Sequence, residues 1–203
     1  MPLIDEENNL LDVELMSDVA SAFSTKNGLI IDDDGNQWYI WRIDGLDSWW
    51  RFFEEIIDAP MGRKLANAAC DEEEFLLENT DLNFNGFFRK KKTKAALEHR
   101  WKLHGWGLPN ASPPSFESAG LTPVFSGILQ AQLEKINSSR YRMLWEDKSP
   151  LATVLTLEPT SIPLTKSNSV LPSQEKGKPL LLELESGWRI DGLGHLLLPV
   201  GMF

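Results

Sequence analysis

The chain has 203 residues, 42% hydrophobic and 25% charged, which is the balance of one soluble globular domain and excludes a disordered or membrane-embedded chain. Thirty acidic residues against 20 basic give a formal net charge of -10, and such a field argues against a nucleic-acid partner. There is no run near the roughly 18 apolar residues of a membrane helix, no secretory signal pattern, and only one cysteine, Cys70, so a cytoplasmic protein without an intrachain disulfide is expected.

The elements read in chain order as follows. Residues 1–27 form an acidic segment in which Leu10, Leu11, Val13, Leu15, Met16, Val19 and Phe23 have the spacing of a short amphipathic helix. Residues 28–31 and 37–43 read as a hairpin, because Asp32 to Asn36 between them supplies Asp-Gly and Gly-Asn turn chemistry. Asp44-Gly45 is expected to stop the second strand, and Asp47 or Ser48 to cap a helix carrying Trp49, Trp50, Phe52, Phe53, Ile56 and Ile57. Two further helices are expected from Met61 to about Glu78 and from Phe87 to about His104, the latter stopped by Gly105 and Gly107.

Residues 109–123 hold four prolines and read as an irregular connection. Val124 to Ile136 is helical by its apolar spacing, and Tyr141–Trp145 with Ala152–Leu157 forms a second candidate hairpin. Residues 158–179 are rich in proline, serine and lysine and read as a linker or mobile loop. Residues 180–203 then supply strand segments at 180–184 and 188–190 and an apolar tail expected to dock on the main domain of residues 1–157.

The hexapeptide Trp-Arg-Ile-Asp-Gly-Leu occurs twice, at 41–46 and 188–193, with no wider self-similarity that would indicate a duplicated domain. In a strand its Trp and Ile point one way and its Arg and Asp the other. One reading is structural: the copies are neighbouring antiparallel strands, with Arg42 facing Asp191 and Asp44 facing Arg189. The other is functional: Arg42 and Arg189 present guanidinium forks to a carboxylate or phosphate.

The usual chemical signatures are missing. The sequence contains no phosphate-binding glycine loop, no Gly-x-Ser-x-Gly elbow and no His-Glu-x-x-His pair, so no cofactor, metal site or catalytic constellation is implied. His99 and His104 lie five apart, on different helix faces, and read as packing or solvent-facing. Cys70 sits among small helical neighbours and reads as a buried, inert thiol. Asp71 to Glu74 and Arg89 to Lys92 read as solvated helix faces. The aromatic run is different, because four rings within positions 49–53 cover too much of a helix to enter one core stripe.

His104-Gly-Trp-Gly107, then Phe125-Ser-Gly-Ile-Leu-Gln-Ala-Gln-Leu-Glu134 and Tyr141-Arg-Met-Leu-Trp-Glu146, together resemble the second half of vinyl-4-reductase-type small-molecule-binding domains over about residues 85–157. The chain lacks that family's cysteines near the hairpin, and 110–122 is proline-rich where the family has a strand. The resemblance implies an α+β sensor-like pocket for a small apolar molecule.

The expected fold is α+β, with about four helices on an antiparallel sheet made from two hairpins and a C-terminal strand. A small-molecule-binding or sensor domain would use Trp49, Phe53 and Trp106, with Arg42 and Arg189 as polar partners. The alternative is a protein-interaction or self-assembly module, in which an exposed aromatic helix docks a partner or forms a homodimer.

Overall fold

The computed structural model describes residues 11–80, 82, 84, 86–164 and 171–203; Leu10 and parts of the 79–86 turn and the 158–179 stretch fall outside them. Helix α1 (Val13–Ala22) is capped by the Asp12 carboxylate, which accepts from the Leu15 N–H at 3.0 Å. It runs directly into β1 (Phe23–Lys26), followed by β2 (Leu29–Asp32) and β3 (Gln37–Arg42). The expected hairpin at 28–43 is present, and Asp32 organises its turn by accepting from the Asn36 and Asp34 backbone N–H groups.

The remaining elements are α2 (Ile43–Ile57), α3 (Gly62–Leu76), α4 (Arg89–His104), β4 (Leu108–Ala111), β5 (Pro114–Glu117), α5 (Thr122–Asn137), β6 (Tyr141–Asp147), β7 (Ala152–Pro159), β8 (Lys178–Pro179), β9 (Arg189–Ile190), β10 (Leu193–Pro199) and a closing 3-10 turn (Val200–Met202). The class is α+β, with five α-helices among the described residues. The strands form two antiparallel sheets, in the orders β8-β1-β2-β3-β10-β9 and β4-β5-β7-β6. The apolar tail docks as β10 beside β3, with Leu196 opposite Trp41 and Leu198 opposite Tyr39. Successive strand residues face opposite ways, so the full burial of Leu196, Leu197 and Leu198 shows that β10 is covered on both faces.

Several sequence expectations are corrected. Residues 109–123 are not irregular, since β4 and β5 pair there, with Pro109 opposite Phe116. Proline's missing N–H is tolerated because β4 is the edge of its sheet. The 158–179 stretch is structured at both ends. Glu158 and Pro159 complete β7, Gln174 donates its backbone N–H to the Gly35 carbonyl at 2.8 Å, and β8 pairs with β1. Residues 180–184 form no strand, although Leu180 and Leu184 are buried and hydrogen-bond to the ends of α1.

Helices α3 and α5 cross at close range. An added Cβ on Gly127 would lie 2.0 Å from the Ala66 carbonyl oxygen, so this position holds the crossing distance. One continuous apolar core joins both sheets and all five helices.

Candidate functional site

Helix α2 begins five or six residues earlier than the sequence suggests, with its N-cap at Arg42 rather than at Asp47 or Ser48. Asp44 and Gly45 lie in its first turn, and the Asp44 carboxylate accepts from the Gly45 N–H and from Arg42 Nε. The Arg42 guanidinium beside it holds the Asp44 carboxyl below its ordinary range. Leu46 and Trp50 turn inward and are buried. Trp49, Phe52 and Ile56 turn outward at i, i+3 and i+7 and are 40%, 63% and 71% exposed. This stripe reverses the usual pattern, in which such spacing faces the core.

The outward rings are ordered by one another. Trp49 stacks on Phe53 with centroids 5.8 Å apart, meets the ring of C-terminal Phe203 edge-on at 5.5 Å, and lies 5.7 Å from Trp41. Phe203 is itself half-exposed. The Trp41 indole N–H is shielded from solvent and has no acceptor among the described residues. Arg51 and Glu55, both exposed, flank the stripe one turn apart. Trp49 and Phe53 therefore lie together, while Trp50, adjacent in sequence, serves the core.

Trp106 does not join them. It is fully buried, and its Nε1 donates to the Leu197 carbonyl at 2.7 Å. His104 stacks on it at 4.4 Å and lies 4.6 Å from Trp38, while Trp101 meets it edge-on. Burial, aided by the nearby Arg100 charge, pushes the His104 pKa well below the ordinary histidine range. The ring is thus neutral, and its Nδ1 donates to the Arg100 carbonyl at 2.7 Å.

A buried polar chain supports this cluster, and the sequence reading missed it. Glu73, read as part of a solvated face, is 1% exposed. Its carboxylate accepts two bonds from Arg100 and one from Gln132 Nε2, all at 2.7 Å, and Gln132 in turn accepts from Trp101 Nε1. The available signal was helical spacing, because Glu73 follows Leu65, Ala66, Ala69 and Cys70 on the buried stripe of α3. Cys70 is buried, and burial together with the Glu134 charge raises its thiol pKa, which suits an inert packing role.

The two hexapeptides are not neighbours, because β10 lies between β3 and β9. Arg42 stands opposite His195, and Arg189 opposite Gly194. Each guanidinium is engaged locally, Arg42 with Asp44 and Arg189 with the Gly192 carbonyl at 2.8 Å. The expected Arg42–Asp191 and Asp44–Arg189 pairs do not form. In the second copy Asp191 and Gly192 adopt φ of 51° and 75°, the left-handed pair of a tight hairpin turn.

A second surface feature is an open groove of about 870 Å³ where the end of α4, the β9–β10 hairpin and the β4–β5 sheet edge meet. Trp101, Leu108 and Trp188 supply apolar walls, and His99, Arg189 and His195 line it as well. His195 Nδ1 donates to the Leu193 carbonyl at 2.8 Å. Among the described residues no three His, Cys, Asp or Glu side chains gather as a metal ion requires. No helix among them is long and apolar enough to cross a membrane.

Comparison of the chain with protein-family models, with curated proteins and with solved structures returns no match.

Proposed function

We propose that the chain is a protein-interaction module that docks the aromatic face of α2 against another polypeptide. The carrying observation is that Trp49, Phe52 and Ile56 present contiguous apolar surface outward at helical spacing, a pattern that marks an interaction site when it lies on a folded exterior. Packing of Trp49 against Phe53 and Phe203 lowers the ordering cost on binding.

The test is site-specific photo-cross-linking in cells from position 52, with exposed Lys90 on α4 as the control position. A discrete cross-linked product from 52, absent from 90 and lost when Trp49→Glu is added, supports the reading. No product from 52 removes it.

The groove favours a second reading, binding of a small apolar molecule between Trp188 and Leu108. It takes the place of an aromatic pocket formed by Trp49, Phe53 and Trp106. Native mass spectrometry of the full chain tests it: a bound mass lost in Trp188→Ala supports ligand binding, and a ligand-free wild-type protein counts against it.

A further inference from the structure

We propose that the polypeptide docking on α2 is a second copy of this chain, paired across a twofold axis with the two α2 helices antiparallel. This rests on the interaction reading above and names its partner.

The first argument is area. Trp49, Phe52, Ile56 and Phe203 are 40%, 63%, 71% and 48% exposed. At about 200 Å² for a fully exposed side chain of this size, they leave roughly 450 Å² of apolar surface open. That is within the range of the largest patch on a typical monomer, about 300–600 Å². A twofold contact covers the patch twice, and with the polar rim of Ser48, Arg51 and Glu55 it reaches the ~1,000 Å² total of a specific interface. One self-complementary patch is all that such an isologous contact requires.

The second argument is charge. At about 100° per residue, Arg51 and Glu55 fall on one flank of the stripe centred on Phe52, and Phe53 falls on the other. In an antiparallel twofold pair each flank meets its own equivalent, so the charged flank meets the charged flank and the apolar flank meets the apolar flank. With the axis at the level of residue 53, Arg51 stands opposite the partner's Glu55, and Glu55 opposite the partner's Arg51. Phe52, next to the axis, packs beside its own symmetry mate, and Trp49 comes level with the partner's Ile57. A parallel pair would instead press the Arg51–Glu55 flank onto the apolar Phe53 flank, with no opposite charge across the contact.

Sedimentation velocity on the full chain from low micromolar to several hundred micromolar, with far-ultraviolet circular dichroism to monitor folding, tests the pairing. The expected result is a dimer that dissociates on dilution. Phe52→Glu should weaken it by at least about 30-fold, as for a central aromatic anchor. Arg51→Glu and Glu55→Arg should each weaken it by about 10-fold by opposing like charges, and the double exchange should return affinity to within about threefold of wild type. The charge-exchange set decides the question even if Phe52→Glu fails to fold.

A wild-type chain that is monomeric throughout overturns self-pairing. If position 52 then still cross-links to a different polypeptide in cells, the interaction reading survives; if it cross-links to nothing, both fall. A dimer indifferent to folded Phe52→Glu, or a double exchange that recovers nothing, also overturns this arrangement.

Discussion

Two groups of aromatic rings, similar in composition, have opposite relations to their surroundings. Around His104, the rings of Trp38, Trp101 and Trp106 are almost wholly buried, and every indole N–H finds an acceptor: the Asp32 carboxylate, the Gln132 side chain and the Leu197 carbonyl. On α2, Trp49 and Phe52 face outward, and the shielded N–H of neighbouring Trp41 has no acceptor among the described residues. A buried indole without an acceptor is costly, so saturated hydrogen bonding marks the first group as built to hold the fold. The second group holds little else in place, and its exposed area is what remains for a partner.

The sharpest way to break this contrast is to remove one ring from each group. Trp101→Ala should cost about 3–5 kcal/mol, since it opens a cavity among Phe116, Phe125 and Trp106 and strands the Gln132 carbonyl oxygen. Trp49→Ala should cost about 1–2 kcal/mol, because much of the ring already faces water. Urea unfolding measures both under one set of conditions, and equal losses would abolish the distinction.

A smaller effect is expected at the helix crossing beneath the core group. Gly127→Ala puts a methyl group against the Ala66 carbonyl oxygen, and α3 and α5 must separate to admit it. The expected loss is about 1–3 kcal/mol. An unchanged urea midpoint would show that the crossing, unlike the ring packing above it, is compliant.

Much of the secondary structure was legible, because turn chemistry and apolar period agree locally at the 28–43 hairpin, at α4 ending in Gly105, and at α5 and β6–β7. The hexapeptide shows where local reading stops. Asp44-Gly45 is helical and Asp191-Gly192 is a left-handed turn, although the flanking residues of the motif are identical. What differs is the continuation: Ser48 to Ile57 can bury Leu46 and Trp50 as a helix, whereas Gly194 to Leu198 must fill the centre of a sheet. In the candidate site, crowding of rings at 49–53 was enough to flag the α2 surface. Trp106, between two glycines, has no periodic neighbours to show which way it faces, and its burial follows only from the return of β10. Glu73 was hidden by the charges around it, since composition outweighed its position on the buried stripe.

The core group should also carry a pH signature of its own. The folded His104 pKa is depressed by burial and by Arg100, so between the folded value and about 6.5 the unfolded chain binds the extra proton. The stabilising contribution of the neutral ring is therefore complete above pH ~6.5 and is lost as pH falls below it, at up to about 1.4 kcal/mol per unit. His104→Phe keeps a ring in the Trp38–Trp106 stack and removes the titration. The difference in stability between wild type and this variant should be constant above about pH 6.5 and move against the wild type as pH falls from about 6.5 to 5. Parallel pH–stability curves would mean that His104 does not titrate on unfolding in this window.

The smallest expected effect bears most directly on the outer face. Phe52→Ser removes a ring that is 63% exposed and that stacks on none of its neighbours in the Trp41, Trp49, Phe53 and Phe203 group. A monomer's unfolding free energy, measured at protein concentrations low enough to exclude association, should change by no more than about 0.5 kcal/mol. A stabilising sign would be in keeping with a residue retained against the interest of the isolated fold. A loss above about 2 kcal/mol would place Phe52 among the packing residues, and the contrast between an inward, satisfied group of rings and an outward, available one would fail at its most exposed member.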